Sequence, residues 1–282
     1  MTRTVHKLLS KVRFEEVIYD KTLAEMILSN NNFSHDKNTS WSVEIFENER
    51  FKKDNPEYHD HDASFITEKL DRIKNMHLWI GRNNKTDLNS RQISYIIKNL
   101  NDEFGILPTF IKNMNHELIE PYSYIDENRT LDWSDFRTIH NLDMLSKHFD
   151  FKNTSEPIYI LDIGGGYGRL VEAIFNNYPN ANLKIVLLDN FIHSLVYGIQ
   201  YLKKSFPGKK LCNIYEGDKF DMEIYDVAVI DYNNFITMND LEFDIIINVH
   251  SFQEMNREVV NRYLNLSNEI SKENGILYFE NV

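Results

Sequence analysis

Three groups of residues have the types and spacing for chemistry: Asp162-Ile163-Gly164-Gly165-Gly166-Tyr167-Gly168, the pair Asp189-Asn190, and His250-Ser251-Phe252-Gln253-Glu254. The first follows a short apolar run beginning at Ile158 and precedes Leu170, Ala173, Ile174 and Tyr178 at helical spacing, with Pro179 as the stop. Strand, glycine turn and helix in that order aim backbone N–H groups and a helix N-terminus at any ligand lying across the strand end. A dinucleotide fingerprint, G-x-G-x-x-G, fails in both registers. Counted from Gly164 its last place falls on Arg169, and counted from Gly165 its second falls on Tyr167. The pattern present is acidic-x-G-x-G-x-G, made by Asp162, Gly164, Gly166 and Gly168. Asp189 closes a second apolar run, Leu183 to Leu188, about 27 residues beyond Asp162. That is near the separation at which a second-strand carboxylate accepts ribose hydroxyls, roughly 20 residues. A helix N-cap made by Asp189 or Asn190 suits the same position. His250 closes a third run, Phe243 to Val249, where an imidazole can serve as a base near neutral pH. Glu254, four residues on, can fold back to fix its tautomer if Ser251 begins a helical turn.

The acidic-x-G-x-G-x-G stretch resembles motif I of the class I S-adenosylmethionine-dependent methyltransferases. Taken with Phe243-Asp244-Ile245-Ile246-Ile247-Asn248-Val249-His250-Ser251-Phe252-Gln253-Glu254-Met255, it looks like the bacterial sugar O-methyltransferase family. The resemblance covers roughly residues 120 to 282 and implies S-adenosyl-L-methionine as cofactor. It also implies a sugar hydroxyl, on a nucleotide-sugar or glycan destined for surface polysaccharide, as acceptor. In such a site Gly164, Gly165, Gly166 and Gly168 let the backbone approach the methionine moiety, and Asp162 acts on its ammonium end. Asp189 and Asn190 face the ribose, and Asp218, in the loop after the third strand, is a candidate for the adenine; an ordinary turn at Glu216-Gly217-Asp218 is the competing reading. His250 is then the base for the acceptor hydroxyl, with Glu254 behind it. A catalytically silent cofactor-binding or scaffold subunit is the rival reading.

The elements that must position these residues form an α/β, Rossmann-like class I methyltransferase sheet, with a mainly helical N-terminal domain over residues 1–152. A polar hinge at Asn153-Thr154-Ser155-Glu156-Pro157 leads into the cofactor-binding domain, residues 153–282. N-terminal helices are expected from about Val12 to Leu28, Ala63 to Trp79 and Ser90 to Phe104, and another starts near Thr130 and runs to about His148. Tyr122, Tyr124 and Trp133 could stack on a sugar there or pack between domains. His59-Asp60-His61-Asp62 has metal-binding residue types, but adjacent residues point in different directions, so it reads as a solvated loop or helix cap and no metal is expected. In the second half a third strand is expected from Lys210 to Tyr215. Val227-Ala228-Val229-Ile230 is a short strand or loop wall, and a helix from about Arg257 to Glu273 leads to a last strand from Ile276. The class sheet has two more strands, so this one is expected to be C-terminally incomplete. Its apolar edge would need a second copy, a partner chain or the N-terminal domain to cover it, unless the sequence is a truncated product.

Composition bounds the partners. Of 282 residues 42% are hydrophobic and 26% charged, ordinary for a globular protein with real cores. The formal net charge of −12 argues against nucleic acid, whose phosphates need a basic surface. No apolar run reaches the eighteen or so residues of a membrane span, and the N-terminus lacks a secretory signal's apolar core, so a cytoplasmic setting is expected. The lone Cys212 reads as a small core residue.

Overall fold

The structure is a computed structural model that describes residues 20–33, 124–126, 129–131, 133–152, 156–238 and 241–281. The expected helices over 63–79 and 90–104 and the His59–Asp62 cluster lie outside the described residues. Six strands form one open sheet. They are β3 (Ile158–Ile163), β4 (Leu183–Leu188), β5 (Leu211–Cys212), β6 (Val227–Ile230), β7 (Phe243–Val249) and β8 (Ser271–Glu280). Their spatial order is β5-β6-β4-β3-β7-β8, and every pairing is parallel. Ahead of the sheet, β1 (Tyr124–Asp126) and β2 (Arg129–Leu131) pair as a small antiparallel hairpin.

β3, β4, β6 and β7 are short, almost continuously apolar and mostly buried, which is how parallel strands covered by helices read in sequence, whereas β8 at the sheet edge is longer and has no fully buried residue. Alternation along each strand sorts the side chains into two cores. Ile158, Ile160, Leu183, Ile185, Leu187, Ile245 and Ile247 pack on one face with residues of four helices. These are α1 (Lys21–Ser29), α2 (Trp133–His148), α3 (Arg169–Asn177) and α4 (Ile192–Ser205). Leu161, Ile163, Val186, Leu188 and Ile246 pack on the other face, against Phe235 of α5 (Tyr232–Phe235) and Val259 and Tyr263 of α6 (Arg257–Ile270). The α/β, Rossmann-like sheet expected from the strand-turn-helix pattern is present, and β3 lies at its centre, where the order of strands reverses. Among the described residues no helix is long and apolar enough to cross a membrane.

Several expectations change; among them, the helix expected from Thr130 starts at Trp133, with Thr130 in β2, and the helix expected to Glu273 ends at Ile270. The third strand shrinks to Leu211–Cys212, because Asn213 caps a 3₁₀ turn over Ile214–Glu216 and accepts from Tyr215 N through its side chain. The strand beside β4 is instead β6, the segment whose place was open, and β5 pairs outside it. The last strand begins at Ser271 rather than Ile276, with an irregularity in its register against Phe243 and Ile245 that absorbs Asn274-Gly275. In the N-terminal half, α1 begins at Lys21 because Asp20 caps it, its Oδ1 accepting from Leu23 N at 3.1 Å.

The helix that follows the glycine turn is tied to its neighbour by a buried polar clamp. Glu172 of α3 is 4% exposed, and its Oε2 accepts from the Tyr201 hydroxyl of α4 at 2.5 Å. The Tyr167 ring, in the turn itself, meets the Tyr201 ring edge-on at 5.1 Å. Replacing Tyr201 with Phe keeps the ring contact and removes a donor from a buried carboxylate. We expect Tyr201→Phe to lower the unfolding free energy by about 2 kcal/mol in urea titrations. An unchanged midpoint would show that the clamp contributes nothing net.

Candidate functional site

The C-terminal ends of β3, β4 and β7 meet at the glycine turn. Asp162 lies on the same strand face as Ile158 and Ile160, and Asp189, one residue past β4, continues the row of Leu183, Ile185 and Leu187. The pleat therefore carries both carboxylates to the α1–α4 side, below the turn. Gly166 N donates to Asp189 Oδ2 at 3.0 Å, and Phe191 N donates to Oδ1 at 2.8 Å. Asp189 thus braces the turn as well as ending β4. Asp162 is 3% exposed, and its Oδ2 is buried with no hydrogen-bond partner among the described residues.

That orphan oxygen is the chemical signature of the site. Burial, reinforced by the neighbouring Asp189 charge, pushes the Asp162 carboxyl up to about 7. Burial also pushes Asp189 up to about 6, opposed by hydrogen bonds from Phe191, Gly166 and Ser194. A cation placed against Asp162 would relieve both the desolvation and the repulsion. The turn itself requires glycine. A Cβ on Gly165 would stand 2.5 Å from Asp162 Oδ2, and Gly164, at φ +69°, has Ser251 where its Cβ would go. The three glycines of the expected motif, Gly164, Gly166 and Gly168, lie together with Gly165 in this turn after Asp162.

Asn190 is committed to the scaffold. Its Oδ1 accepts from Tyr232 N at 2.7 Å and its Nδ2 donates to the Tyr263 hydroxyl at 3.4 Å. Asp218 follows β5, which β6 and β4 separate from β3, and its Oδ2 accepts from Asn213 N at 2.8 Å. The strand end next to β4 is occupied by Asp231 instead. Its carboxylate accepts from the Tyr215 hydroxyl at 2.6 Å and from Asn234 N at 3.1 Å, so it caps α5.

On the other side of the turn, Asn248 of β7 staples the strand ends. Its Nδ2 donates to Ile163 O at 2.9 Å and contacts Ser251 Oγ, while its Oδ1 accepts from Asn281 Nδ2 at 3.2 Å. His250 then leaves the strand at φ +62°, the one positive-φ residue besides glycine among those described. Its Nε2 lies 3.1 Å from Glu280 Oε1 and its Nδ1 3.4 Å from Gln253 Oε1. Among the described residues the carboxylate at the imidazole is Glu280, from the end of β8. Glu254 belongs to a 3₁₀ turn, Phe252–Glu254, and its side chain lies outside the described residues. Glu280, Asn248 and Ser251 were missed by sequence reasoning, although the pairing of β7 with β8 would have flagged Glu280. Among the described residues no cluster of three or more His, Cys, Asp or Glu side chains has metal-site geometry.

No protein-family model and no curated protein matches the chain. Solved structures do. PKMT2 from Rickettsia typhi is 18% identical, with a TM-score of 0.35 over 49% of this chain and 24% of that one. The glycopeptide N-methyltransferase MtfA, complexed with S-adenosyl-L-methionine, is 11% identical, with a TM-score of 0.34 over 50% and 52%. Coclaurine N-methyltransferase, bound to N-methylheliamine and SAH, is 17% identical, with a TM-score of 0.37 over 75% and 57%. The chain thus spans between 24% and 57% of the length of these proteins.

The two raised carboxyls fix the sign of a pH dependence. Asp162 titrates near 3.8 when unfolded and about 7 when folded, so its burial favours the folded state below about pH 4 and that advantage is lost as pH rises through 7. We expect Asp162→Asn to stabilise the ligand-free protein by about 2 kcal/mol at pH 8 and by almost nothing at pH 4. Urea titrations at the two pH values check this. A variant less stable than the parent at pH 8 would mean that Asp162 is paired in solution.

Proposed function

We propose that the protein is a methyltransferase that uses S-adenosyl-L-methionine to methylate a hydroxyl, with a sugar as the acceptor class. The observation that carries this reading is the unpartnered, buried Oδ2 of Asp162 beneath a glycine turn. A carboxylate so placed suits the ammonium of an amino-acid-bearing ligand, and it opposes a pyrophosphate. The cofactor supplies an electrophilic methyl group on a sulfonium. Asp162 receives the ammonium, the glycine backbone admits the methionine chain, and Asp189 offers acceptor oxygens for ribose hydroxyls at the end of β4.

His250 takes the proton from the acceptor hydroxyl. Its left-handed backbone supports that role, because a residue held in a disfavoured conformation, at a cost of order 1 kcal/mol, is kept where its side chain is used. The sugar class rests on the resemblance of the His250–Met255 segment and on no geometric feature.

Calorimetry with S-adenosylhomocysteine tests the cofactor. Binding is expected in the parent, at least tenfold weaker in Asp162→Asn, and weaker at pH 5.5 than at pH 8, since the ionised carboxylate is the form that holds an ammonium. No binding by the parent would remove the proposal. His250→Gly suits the φ of +62° and should stay within about 1 kcal/mol of parent stability. It should bind S-adenosylhomocysteine as the parent does and lose methyl transfer to sugar hydroxyls at least a hundredfold. Undiminished turnover would dismiss His250 as the base.

A further inference from the structure

We propose that Glu280 is a positioning residue for His250: it holds the proton on Nε2 and thereby makes Nδ1 the nitrogen that accepts a proton. The role of Nδ1 in turnover rests on the functional reading above, whereas the tautomer assignment rests on the geometry alone. Glu280 Oε1 lies 3.1 Å from His250 Nε2, and a carboxylate can only accept, so Nε2 must carry the hydrogen. In a neutral ring the lone pair then resides on Nδ1. Gln253 Oε1 lies 3.4 Å from Nδ1, at the outer limit of a hydrogen bond and on the exposed side of the ring. A half-turn of that amide presents its NH₂ to the lone pair, and a hydroxyl arriving from the same side takes its place.

Backbone geometry supports a built arrangement. The pleat of β7 would send His250 to the same face as Ile246 and Asn248, toward α6, while Glu280 shares the α2 face of β8 with Tyr278. The left-handed residue breaks that alternation and brings the ring across to Glu280. His250 N also donates to Glu280 O at 2.7 Å, so one residue grips both the backbone and the side chain of His250. The carboxylate has Tyr278 beside it, whose one hydroxyl proton is shared between Glu280 and Asn141. The Tyr278 hydroxyl lies 3.3 Å from Oε2 and 2.7 Å from Asn141 Oδ1 on α2, and Asn141 is 2% exposed. Burial and the Glu280 charge both raise the Tyr278 phenol, so it stays a donor at neutral pH. When Nδ1 takes a proton, the resulting imidazolium keeps its Nε2–H on a carboxylate, and the positive charge is balanced in place.

Histidine-labelled full-length protein tests this by two-bond ¹⁵N–¹H correlation, with His250 identified by its loss in His250→Gly. The parent should show His250 as the Nε2–H tautomer at a pH where the ring is neutral. Glu280→Gln should shift it toward a mixture, and kcat should fall 10–100-fold with KM and S-adenosylhomocysteine binding unchanged. Glu280→Asp, which retains the charge, should restore the tautomer bias in part. A tautomer unaffected by Glu280→Gln, or an Nδ1–H tautomer in the parent, overturns the proposal. The parent spectrum decides the matter even if Glu280→Gln does not fold. A tautomer shift in a protein that transfers no methyl group would leave the positioning intact and dismiss the functional reading instead.

Discussion

A negative charge with nothing to neutralise it sits at the centre of this protein. Asp162 ends the central strand, is almost fully buried, shares its surroundings with Asp189, and has one oxygen that meets no donor among the described residues. Few features in a folded chain are costlier than a buried carboxylate left unpaired. The surrounding structure raises the carboxyl to about 7, so that its charge is lost readily as pH falls, and leaves bare backbone beside it. A side chain at Gly165 would press on that oxygen, and one at Gly164 would collide with Ser251. The glycines are therefore demanded by the carboxylate and the adjoining strand as much as by any ligand.

Rigidity around this charge comes from polar groups that are satisfied. Asn248 binds the end of β3 to its own strand and to Asn281 beyond β8. Each oxygen of Asp189 accepts a backbone N–H, one from the turn and one from the approach to α4. Asp231, Tyr215 and Asn234 close the next strand end, and Asn234 also exchanges side-chain hydrogen bonds with Asn30 and Asn32 just after α1. A segment some two hundred residues upstream is thereby tied to the same rim. Fully satisfied networks of this kind hold a site in one geometry, so the unsatisfied oxygen stands out against them.

What the sequence made legible was local. The strand-to-glycine-turn pattern, the carboxylate after β4 and the imidazole after β7 each depend on a few contiguous residues, and each sits where its pattern predicts. What stayed hidden depended on pairing. Glu280 reaches His250 because Val249 is in register with it across β7 and β8, a register that passes an irregularity between Phe243 and Ile245. Helical spacing from His250 pointed to Glu254; His250 is left-handed and Glu254 lies in a 3₁₀ turn, with its side chain outside the described residues. Asp218 was placed on the assumption of a six-residue third strand. Asn213 cuts that strand to two residues, and β6 takes the inner position.

The same electrostatics argue about which ligands the turn can take. A nucleotide-binding turn of similar shape cradles a pyrophosphate with backbone N–H groups, and its acidic residue lies farther off, at the ribose. Here the first strand itself ends in a buried carboxylate, so a diphosphate lying across the turn would face Asp162 as well as Asp189. Arg169, the first residue of α3, donates through Nε to the Tyr167 hydroxyl at 2.8 Å and lies over the Tyr167 ring. At an effective dielectric of about 20, two unit charges 4 Å apart interact by about 4 kcal/mol, repulsive for a phosphate and attractive for an ammonium. That sign difference, more than the glycine spacing, is the physical ground for preferring a ligand with a cationic amino-acid end over a dinucleotide.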